Sequence, residues 1–279
     1  MSRFKRIDSI VEAVGNTPLV RLRSIERDNP GVKIYLKLEY MNPGGSVKDR
    51  PALNMMRDAI ADGRLTKERT LIDATSGNTG VAYSLFGACL GYKVALVMPS
   101  NVSQARKSIT GAFGTELIYS DPMEGSDGAI RLCRKLVEQF PGKYFYSDQY
   151  SNPSNPGAHY LGTGREILEQ LGDEITHFVA GLGTSGTMMG TTRRLREHHR
   201  KILCVAAEPA EALHGLEDNP AHQQQHRQPV DEGCQRFGAA KAKRVARRRR
   251  AFRDHLRHQG QAKRRSIRHH VARIRDQGQ

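Results

Sequence analysis

The chain has 279 residues, of which 38% are hydrophobic, with four cysteines and a formal net charge of +15. Its length is ample for the buried core of one large domain or of two smaller ones. The cysteines lie far apart and form no C-x-x-C pair, which argues against a disulfide scaffold or a metal site and predicts a reducing, cytoplasmic setting. No segment reaches the length of a signal peptide's apolar core or of a membrane span, so we expect no membrane partner.

The excess positive charge lies near the C-terminus. Residues 1–216 hold 27 Lys+Arg and 23 Asp+Glu, whereas residues 217–279 hold 17 Lys+Arg and only 6 Asp+Glu. A block of like charge is typical of a tail that interacts with other molecules. We therefore expect nucleic acid as a partner only of residues 217–279.

Short β-type runs alternate with helical stretches from residue 33 to residue 208. Most of the predicted strands are apolar, as expected for strands covered on both faces; they are 34–38, 70–74, 93–98, 116–119, 144–147, 176–180 and 202–206. Helices are predicted at 78–90, at 102–113 and from residue 126 to just before Pro141, with Gly91 and Gly114 ending the first two. This order predicts an α/β fold with a mostly parallel sheet and helices on both faces. Ligands of such folds bind at the carboxyl ends of the strands.

Residues 42–50, Asn-Pro-Gly-Gly-Ser-Val-Lys-Asp-Arg, connect the first predicted strand to a helix. The Pro-Gly-Gly turn ends the strand, and Ser46 is expected to cap the helix. Lys48 then lies at the positive end of the helix, where its ammonium form is disfavoured and its pKa is lowered. A neutral lysine is the nucleophile of Schiff-base chemistry. On position alone, a solvated lysine in the first turn of a surface helix is the favoured interpretation of Lys48.

Two loops at strand-to-helix junctions favour the first interpretation. Residues 75–80, Thr-Ser-Gly-Asn-Thr-Gly, are small or polar and expose backbone N–H groups suited to a carboxylate or phosphate. Residues 181–187, Gly-Leu-Gly-Thr-Ser-Gly-Thr, have the same character with more glycine. No lysine follows, so this second loop is not a Walker A loop, and its G-x-G-x-x-G spacing is weak by itself. We interpret it as a phosphate site of backbone amides and hydroxyls.

A third polar segment, residues 148–156, follows the predicted strand 144–147. It contains Gln149 and two Asn-Pro pairs, which predict a rigid, irregular loop. A simple surface turn and a functional loop explain this pattern equally well.

One lysine, one carboxylate site and one phosphate site together are what a pyridoxal-phosphate enzyme requires. Residues 8–216 resemble the cysteine synthase (O-acetylserine sulfhydrylase) and cystathionine β-synthase family of fold-type II pyridoxal-phosphate enzymes. The resemblance is carried by four motifs that occur in the family's order, at residues 15–22, 42–50, 75–80 and 183–187. It implies an α/β fold like that of the tryptophan synthase β chain, with two parallel-type sheets and helices on both faces.

The resemblance also implies roles for individual residues. Lys48 would hold pyridoxal 5′-phosphate as a Schiff base and then remove the Cα proton of the substrate, while Asn78 would hydrogen-bond the 3′ oxygen of the cofactor. The residues expected to bind the carboxylate of the substrate are Thr75, Ser76, Gly77, Thr79 and Gln149. The residues expected to bind the cofactor phosphate are Gly183, Thr184, Ser185, Gly186 and Thr187.

The implied reaction is β-replacement on an activated serine, either O-acetylserine or O-phosphoserine, by sulfide to give L-cysteine. Residues 1–216 would form the catalytic core, with 49–151 as a smaller mobile domain that closes over the site, and the family commonly forms homodimers. Ser46-Val47 before the lysine distinguishes the chain from serine and threonine dehydratases, which typically have Ser-Phe there. Cystathionine β-synthase remains an alternative because its loops are alike, although no haem-binding or regulatory segment is evident.

Residues 217–279 depart from the family pattern. No glycine-rich loop occurs there, and no residue can be assigned to the pyridine nitrogen of the cofactor, so we expect an incomplete larger domain. Three interpretations compete: a frame-shifted translation, which the Arg and Ala bias favours, a basic arm that binds nucleic acid, or a helical cap at 239–275. A second class of function is therefore an inactive remnant or a basic-tailed binding protein without catalysis.

Overall fold

The computed structural model describes residues 6–207 and 234–236, and the elements below are those of this part of the chain. The strands are β1 Leu19–Arg21, β2 Tyr35–Lys37, β3 Thr70–Ala74, β4 Val94–Pro99, β5 Glu116–Ser120, β6 Tyr144–Tyr146, β7 His177–Gly181, β8 Leu203–Ala207 and β9 Cys234–Arg236. The α-helices are α1 Arg23–Glu26, α2 Asp49–Ala61, α3 Asn78–Leu90, α4 Gln104–Ala112, α5 Gly125–Gln139, α6 Ser154–Ala158, α7 Arg165–Leu171 and α8 Gly186–His198. A π-helical segment, His159–Gly164, joins α6 to α7. Within these residues no helix is both long and apolar enough to cross a membrane.

A four-stranded parallel sheet in the order β5-β4-β3-β6 forms the first half of the fold. Every residue of β3 and β4 is buried, because helices cover both faces of these central strands. Alternate side chains enter different cores: Leu71 packs with α2 and α3 on one face, and Ile72 packs with α5 on the other. The predicted parallel sheet with helices on both faces is confirmed.

A second parallel sheet, in the order β7-β8-β9, has its own core. Ile167 of α7 and Met188 and Leu195 of α8 pack there against Cys204 and Ala206 of β8. The chain thus contains two parallel sheets, as the fold-type II resemblance implies. The expected basic tail at 217–279 lies outside the described residues except at 234–236, which pair with β8.

The first predicted strand has different surroundings from those expected. β2 was expected to be covered on both faces, but it pairs antiparallel with β1, a strand that the sequence did not predict. Val20 and Leu36 lie opposite each other in this ribbon and are 42% and 49% exposed. A short apolar run therefore indicates a strand without indicating which sheet it joins.

The other predicted elements are found within one or two residues of their expected ends. Helix α3 has the predicted bounds, and Gly91 ends it in the left-handed conformation with φ +70°. That conformation is accessible to glycine without steric cost, which is why the C-terminal glycine was a reliable indication.

Candidate active site

Lys48 lies at the junction between the Gly-rich turn and helix α2. The turn is closed by a hydrogen bond from Gly45 N–H to Asn42 O at 2.8 Å, with Gly45 at φ +80°. Burial lowers the pKa of the Lys48 amine. The expected lowering of the lysine pKa is therefore present, with desolvation as its cause.

The expected cap of α2 is placed differently. Ser46 was predicted to cap the helix, but α2 begins at Asp49 with no side-chain cap at Lys48. The Ser46 hydroxyl instead accepts the backbone N–H of Lys48 at 3.1 Å. Because Ser46 is two residues earlier in the turn, its hydroxyl orders the backbone of the lysine itself.

Gly44 and Asp49 hold the same turn against the helix. The Gly44 N–H donates to Asp49 Oδ2, and a Cβ on Gly44 would lie 2.6 Å from Asp49 Oδ1. Burial raises the pKa of Asp49 to about 6. Only glycine permits this close approach of the carboxyl group to the backbone.

The loop after β3 presents the residues expected to bind a substrate carboxylate. Thr75 Oγ1 accepts the N–H of Gly77 at 3.3 Å, so this hydroxyl also orders the loop in which Ser76 lies. Thr79 is buried, and its hydroxyl donates to Gln149 Oε1 at 2.8 Å. The third polar segment therefore meets the first loop, and of the two explanations for residues 148–156, the contact favours the functional loop.

Asn78 is the first residue of α3 and is exposed at the edge of this loop. Its side-chain oxygen accepts a hydrogen bond from Arg106 Nη1 of α4 at 2.8 Å. The amide nitrogen of Asn78 is the atom that can donate to an anionic oxygen such as the 3′ oxygen of the expected cofactor. Arg106 therefore fixes the orientation in which Asn78 is presented.

The loop after β7 presents the residues expected to bind a phosphate. Ser185 adopts the left-handed conformation at φ +62° immediately before α8. A Cβ on Gly186 would lie 2.0 Å from Asn155 Oδ1, so any other residue there would displace the Asn155 side chain, whereas Gly183 has no atom within 4 Å of such a Cβ. The helix start directs its N–H groups and its positive end towards this loop.

Asn155 and His159 contact the candidate loops, although the sequence assigned neither of them to the site. Asn155 Nδ2 donates to Thr184 Oγ1 at 3.0 Å and to Gln149 O at 2.8 Å, which connects the two loops. His159 is 1% exposed, with Nε2 3.3 Å from Thr187 Oγ1. Burial, and then the positive charges of Arg50 and Lys48, lowers the pKa of His159 to about 3, so its ring is neutral. Asn155 lies in the third polar segment, residues 148–156, which the sequence had indicated. No local sequence pattern distinguishes His159.

The described residues contain no group of three or more His, Cys, Asp or Glu side chains arranged to hold a metal ion. What the loops do offer fits pyridoxal phosphate. The desolvated amine of Lys48 can serve as a covalent anchor. The glycine-containing N-terminus of α8 can bind a phosphate, and the hydroxyl-rich loop after β3 can bind a carboxylate.

Comparison with known proteins gives a consistent result. Residues 10–262 match the family model described as pyridoxal-phosphate dependent enzyme, a match that continues beyond residue 216. The chain is 52% identical over 215 residues to a cysteine synthase of Aquifex aeolicus, covering 76% of this chain and 66% of the relative. It is 43% identical over 205 residues to cysteine synthase B of Escherichia coli, covering 74% of this chain and 67% of that protein.

Solved structures give the same fold. The crystal structure of a cysteine synthase from Entamoeba histolytica matches with a TM-score of 0.74 and 41% identity, over 78% of this chain and 65% of that one. The structure of an O-ureido-L-serine synthase matches with a TM-score of 0.70 and 37% identity, over 75% and 65%. The chain spans about two thirds of the length of these relatives. The resemblance drawn from the four motifs is confirmed, and the chain belongs to the pyridoxal-phosphate dependent enzyme family.

Proposed function

We propose that the chain is a pyridoxal-phosphate dependent cysteine synthase, which replaces the β-substituent of O-acetylserine or O-phosphoserine with sulfide to give L-cysteine. The observation that carries this proposal is a chain of hydrogen bonds between the two loops. Thr79 donates to Gln149 Oε1, and Asn155 donates both to Gln149 O and to Thr184 Oγ1, all within 3.0 Å. The loop expected to bind the carboxylate and the loop expected to bind the phosphate are thereby connected through residues 148–156.

The cofactor would be held by three groups. The amine of Lys48 would form the covalent attachment, and Asn78 would donate to the 3′ oxygen. The phosphate would bind in the loop of residues 183–187, in which no atom lies within 4 Å of a Cβ on Gly183 and the Thr187 hydroxyl is hydrogen-bonded to His159. When bound, the cofactor supplies an electron sink that makes the Cα proton of the amino acid acidic.

The protein's own residues bind the substrate and move its proton. Thr75, Ser76, Gly77, Thr79 and Gln149 would bind the carboxylate through hydroxyl, amide and backbone donors. Lys48 would take the Cα proton, since burial lowers the pKa of its amine and so increases the neutral fraction that can accept a proton. Closure of the domain at residues 49–151 would exclude water while the leaving group departs and sulfide adds.

The partners in this proposal are the small-molecule substrates. Names among the relatives support this chemistry: cysteine synthases and an O-ureido-L-serine synthase are named for products that are β-substituted alanines, and an O-acetylserine sulfhydrylase is named for an activated serine. A homodimeric assembly and a cytoplasmic location belong to the same proposal.

The experiment begins with purified full-length protein titrated with pyridoxal phosphate. We expect a visible absorption band that is lost in Lys48→Ala and kept in Lys135→Ala, since Lys135 is an exposed lysine on α5. L-Cysteine is then measured with sulfide and either O-acetylserine or O-phosphoserine. A Lys48-dependent band without cysteine from either substrate would refute cysteine synthesis, and absence of the band would refute the cofactor assignment.

A further inference from the structure

Asp73 is a buried acid that the proposed mechanism does not use. It lies in β3 and is 1% exposed, with buried residues on both sides of it in the strand. Its Oδ1 accepts the N–H of Ala74 at 2.8 Å, and its Oδ2 accepts the N–H of Gln149 at 3.3 Å. Each oxygen of one carboxylate therefore accepts a backbone donor from a different segment.

The two backbone donors, Ala74 and Gln149, lie at the start of the two segments that are expected to bind the substrate carboxylate. Ala74 is the last residue of β3 and leads directly into the loop 75–80, and Gln149 follows the neighbouring parallel strand β6. Gln149 is further attached through its side chain, which donates to Ala74 O at 3.4 Å and accepts from Thr79 at 2.8 Å. Through its two hydrogen bonds, Asp73 therefore connects the backbone that leads into the loop 75–80 to the backbone of the segment that follows β6.

The groups around Asp73 do not neutralise its charge. Those that interact with it are Tyr83 of α3, Cys133 of α5, Tyr146 of β6, and Asp148 and Tyr150 of the loop. Among the described residues, Arg134 contributes a positive charge to this cluster, where it acts on Cys133 and Tyr146. Burial, and then the charge of Asp148, raises the pKa of Asp73 to about 7.

We propose that Asp73 is a positioning residue for the substrate carboxylate. This inference deepens the proposed function and rests on it for the identity of the substrate. In its ionised form it holds Gln149 against the loop 75–80. An ionised carboxylate can accept both N–H groups, whereas its protonated form and an asparagine each have a donor in place of one acceptor. Loss of the negative charge then releases the longer bond, to Gln149, and loosens the segment that follows β6.

The direction of the pH effect follows from the raised pKa. Asp73 is ionised above about pH 7, so the segment at 147–152 is held in place there and is released as the pH falls towards 6. Binding of an amino acid carboxylate should weaken over the same range.

Hydrogen exchange of the cofactor-free full chain tests this inference without using turnover. Exchange of the peptide covering 147–155, corrected for the intrinsic effect of pH, is compared at pH 6 and pH 8 in the wild type, Asp73→Asn and Asp121→Asn. Asp121 is an exposed carboxylate that also accepts one backbone N–H, from Met123, and serves as the matched control. We expect protection of the wild type and of Asp121→Asn to fall about tenfold from pH 8 to pH 6.

In Asp73→Asn the protection should be low at both pH values. Equal protection of the wild type at pH 6 and pH 8 would overturn the inference, and this result can be read even if Asp73→Asn does not fold. Steady-state kinetics give a second readout: Asp73→Asn should raise KM for the activated serine at pH 8 about tenfold and leave kcat within about twofold. If the wild type shows no turnover, the proposed function fails, while hydrogen exchange still decides the role of Asp73.

Discussion

Arg50 and Glu166 form a buried, two-bonded ion pair that joins the lysine segment to helix α7. Arg50 Nη1 and Nη2 donate to Glu166 Oε1 and Oε2, each at 2.7 Å, and both side chains are 4% exposed. Arg50 also donates to Glu39, and Glu166 also binds Lys37 and the N–H of Asn16. The pair thus connects the N-terminal motif, the lysine motif and α7 close to the candidate site.

Glu166→Gln should destabilise the fold strongly. Burial alone would raise the pKa of Glu166, but hydrogen bonds from Arg50 and Lys37 outweigh it and lower the pKa to about 2. Removing the negative charge leaves buried cations with one carboxylate fewer, and we expect a loss of about 3 kcal/mol in the free energy of unfolding. Urea unfolding at pH 7 measures this loss.

Two controls accompany this prediction. Glu169→Gln breaks an exposed pair with Arg165, of similar length at 2.8 Å, and should cost under about 0.5 kcal/mol. The double variant Arg50→Met/Glu166→Gln should cost less than the sum of its single variants, because neither charge is then left without its partner. Additive losses would show that the two residues do not act as a pair.

His159 should make the protein sensitive to mild acid. Its pKa is about 3 in the folded chain and about 6.5 when unfolded, so the unfolded chain binds the extra proton between these values. The contribution of neutral His159 to the free energy of unfolding is fully present above pH 6.5. Below pH 6.5 this contribution falls by about 1.4 kcal/mol per pH unit. His159→Gln should flatten the dependence of the urea midpoint on pH between 7 and 5. An unaltered dependence in His159→Gln would show that another group causes the acid sensitivity.

Gly190→Ala should disturb the packing of α8 on α6. A Cβ on Gly190 would lie 2.1 Å from the backbone oxygen of Pro156, which cannot move aside as a side chain can. We expect a loss of about 2 to 3 kcal/mol in the free energy of unfolding. Gly111→Ala in α4 is the matched control: no atom lies within 4 Å of its Cβ, and it should stabilise the protein by about 0.5 to 1 kcal/mol. Thermal unfolding of both variants and of the wild type measures these changes in stability.

Asn155→Ala should weaken binding of the cofactor. The substitution removes the hydrogen bonds to Thr184 and to Gln149 O, so the phosphate loop loses its attachment to the carboxylate loop. We expect about a tenfold increase in the Kd for pyridoxal phosphate, measured by titration of the visible band. Asn29→Ala, which removes an exposed hydrogen bond to Ile25 O, should leave the Kd unaltered. An unchanged Kd in Asn155→Ala would mean that the loops are held independently.

Local patterns predicted most of the elements and the loops of the site. Apolar runs predicted every strand of the two parallel sheets except β9, which lies in the segment interpreted as a basic tail. Gly91 indicated the end of α3 correctly because only its own backbone conformation was involved. The loops 75–80 and 183–187 could be singled out because small, hydroxyl-bearing residues at strand ends are groups that can bind an anion wherever they lie. The specific assignments of Lys48 and of the individual loop residues stay predictions until ligands are bound.

The amino-acid sequence alone determined the class of fold, the order of the motifs and the chemistry that each loop can offer, because these depend on periodicity and residue type over a few neighbouring positions. Tertiary structure decided which polar groups meet. Glu166 lies 116 residues from Arg50, and Gln149 lies 70 residues from Thr79 and 76 from Asp73. Only folding desolvates Asp73, His159 and Lys48 and so shifts their pKa values, because burial depends on which distant segments pack around a group.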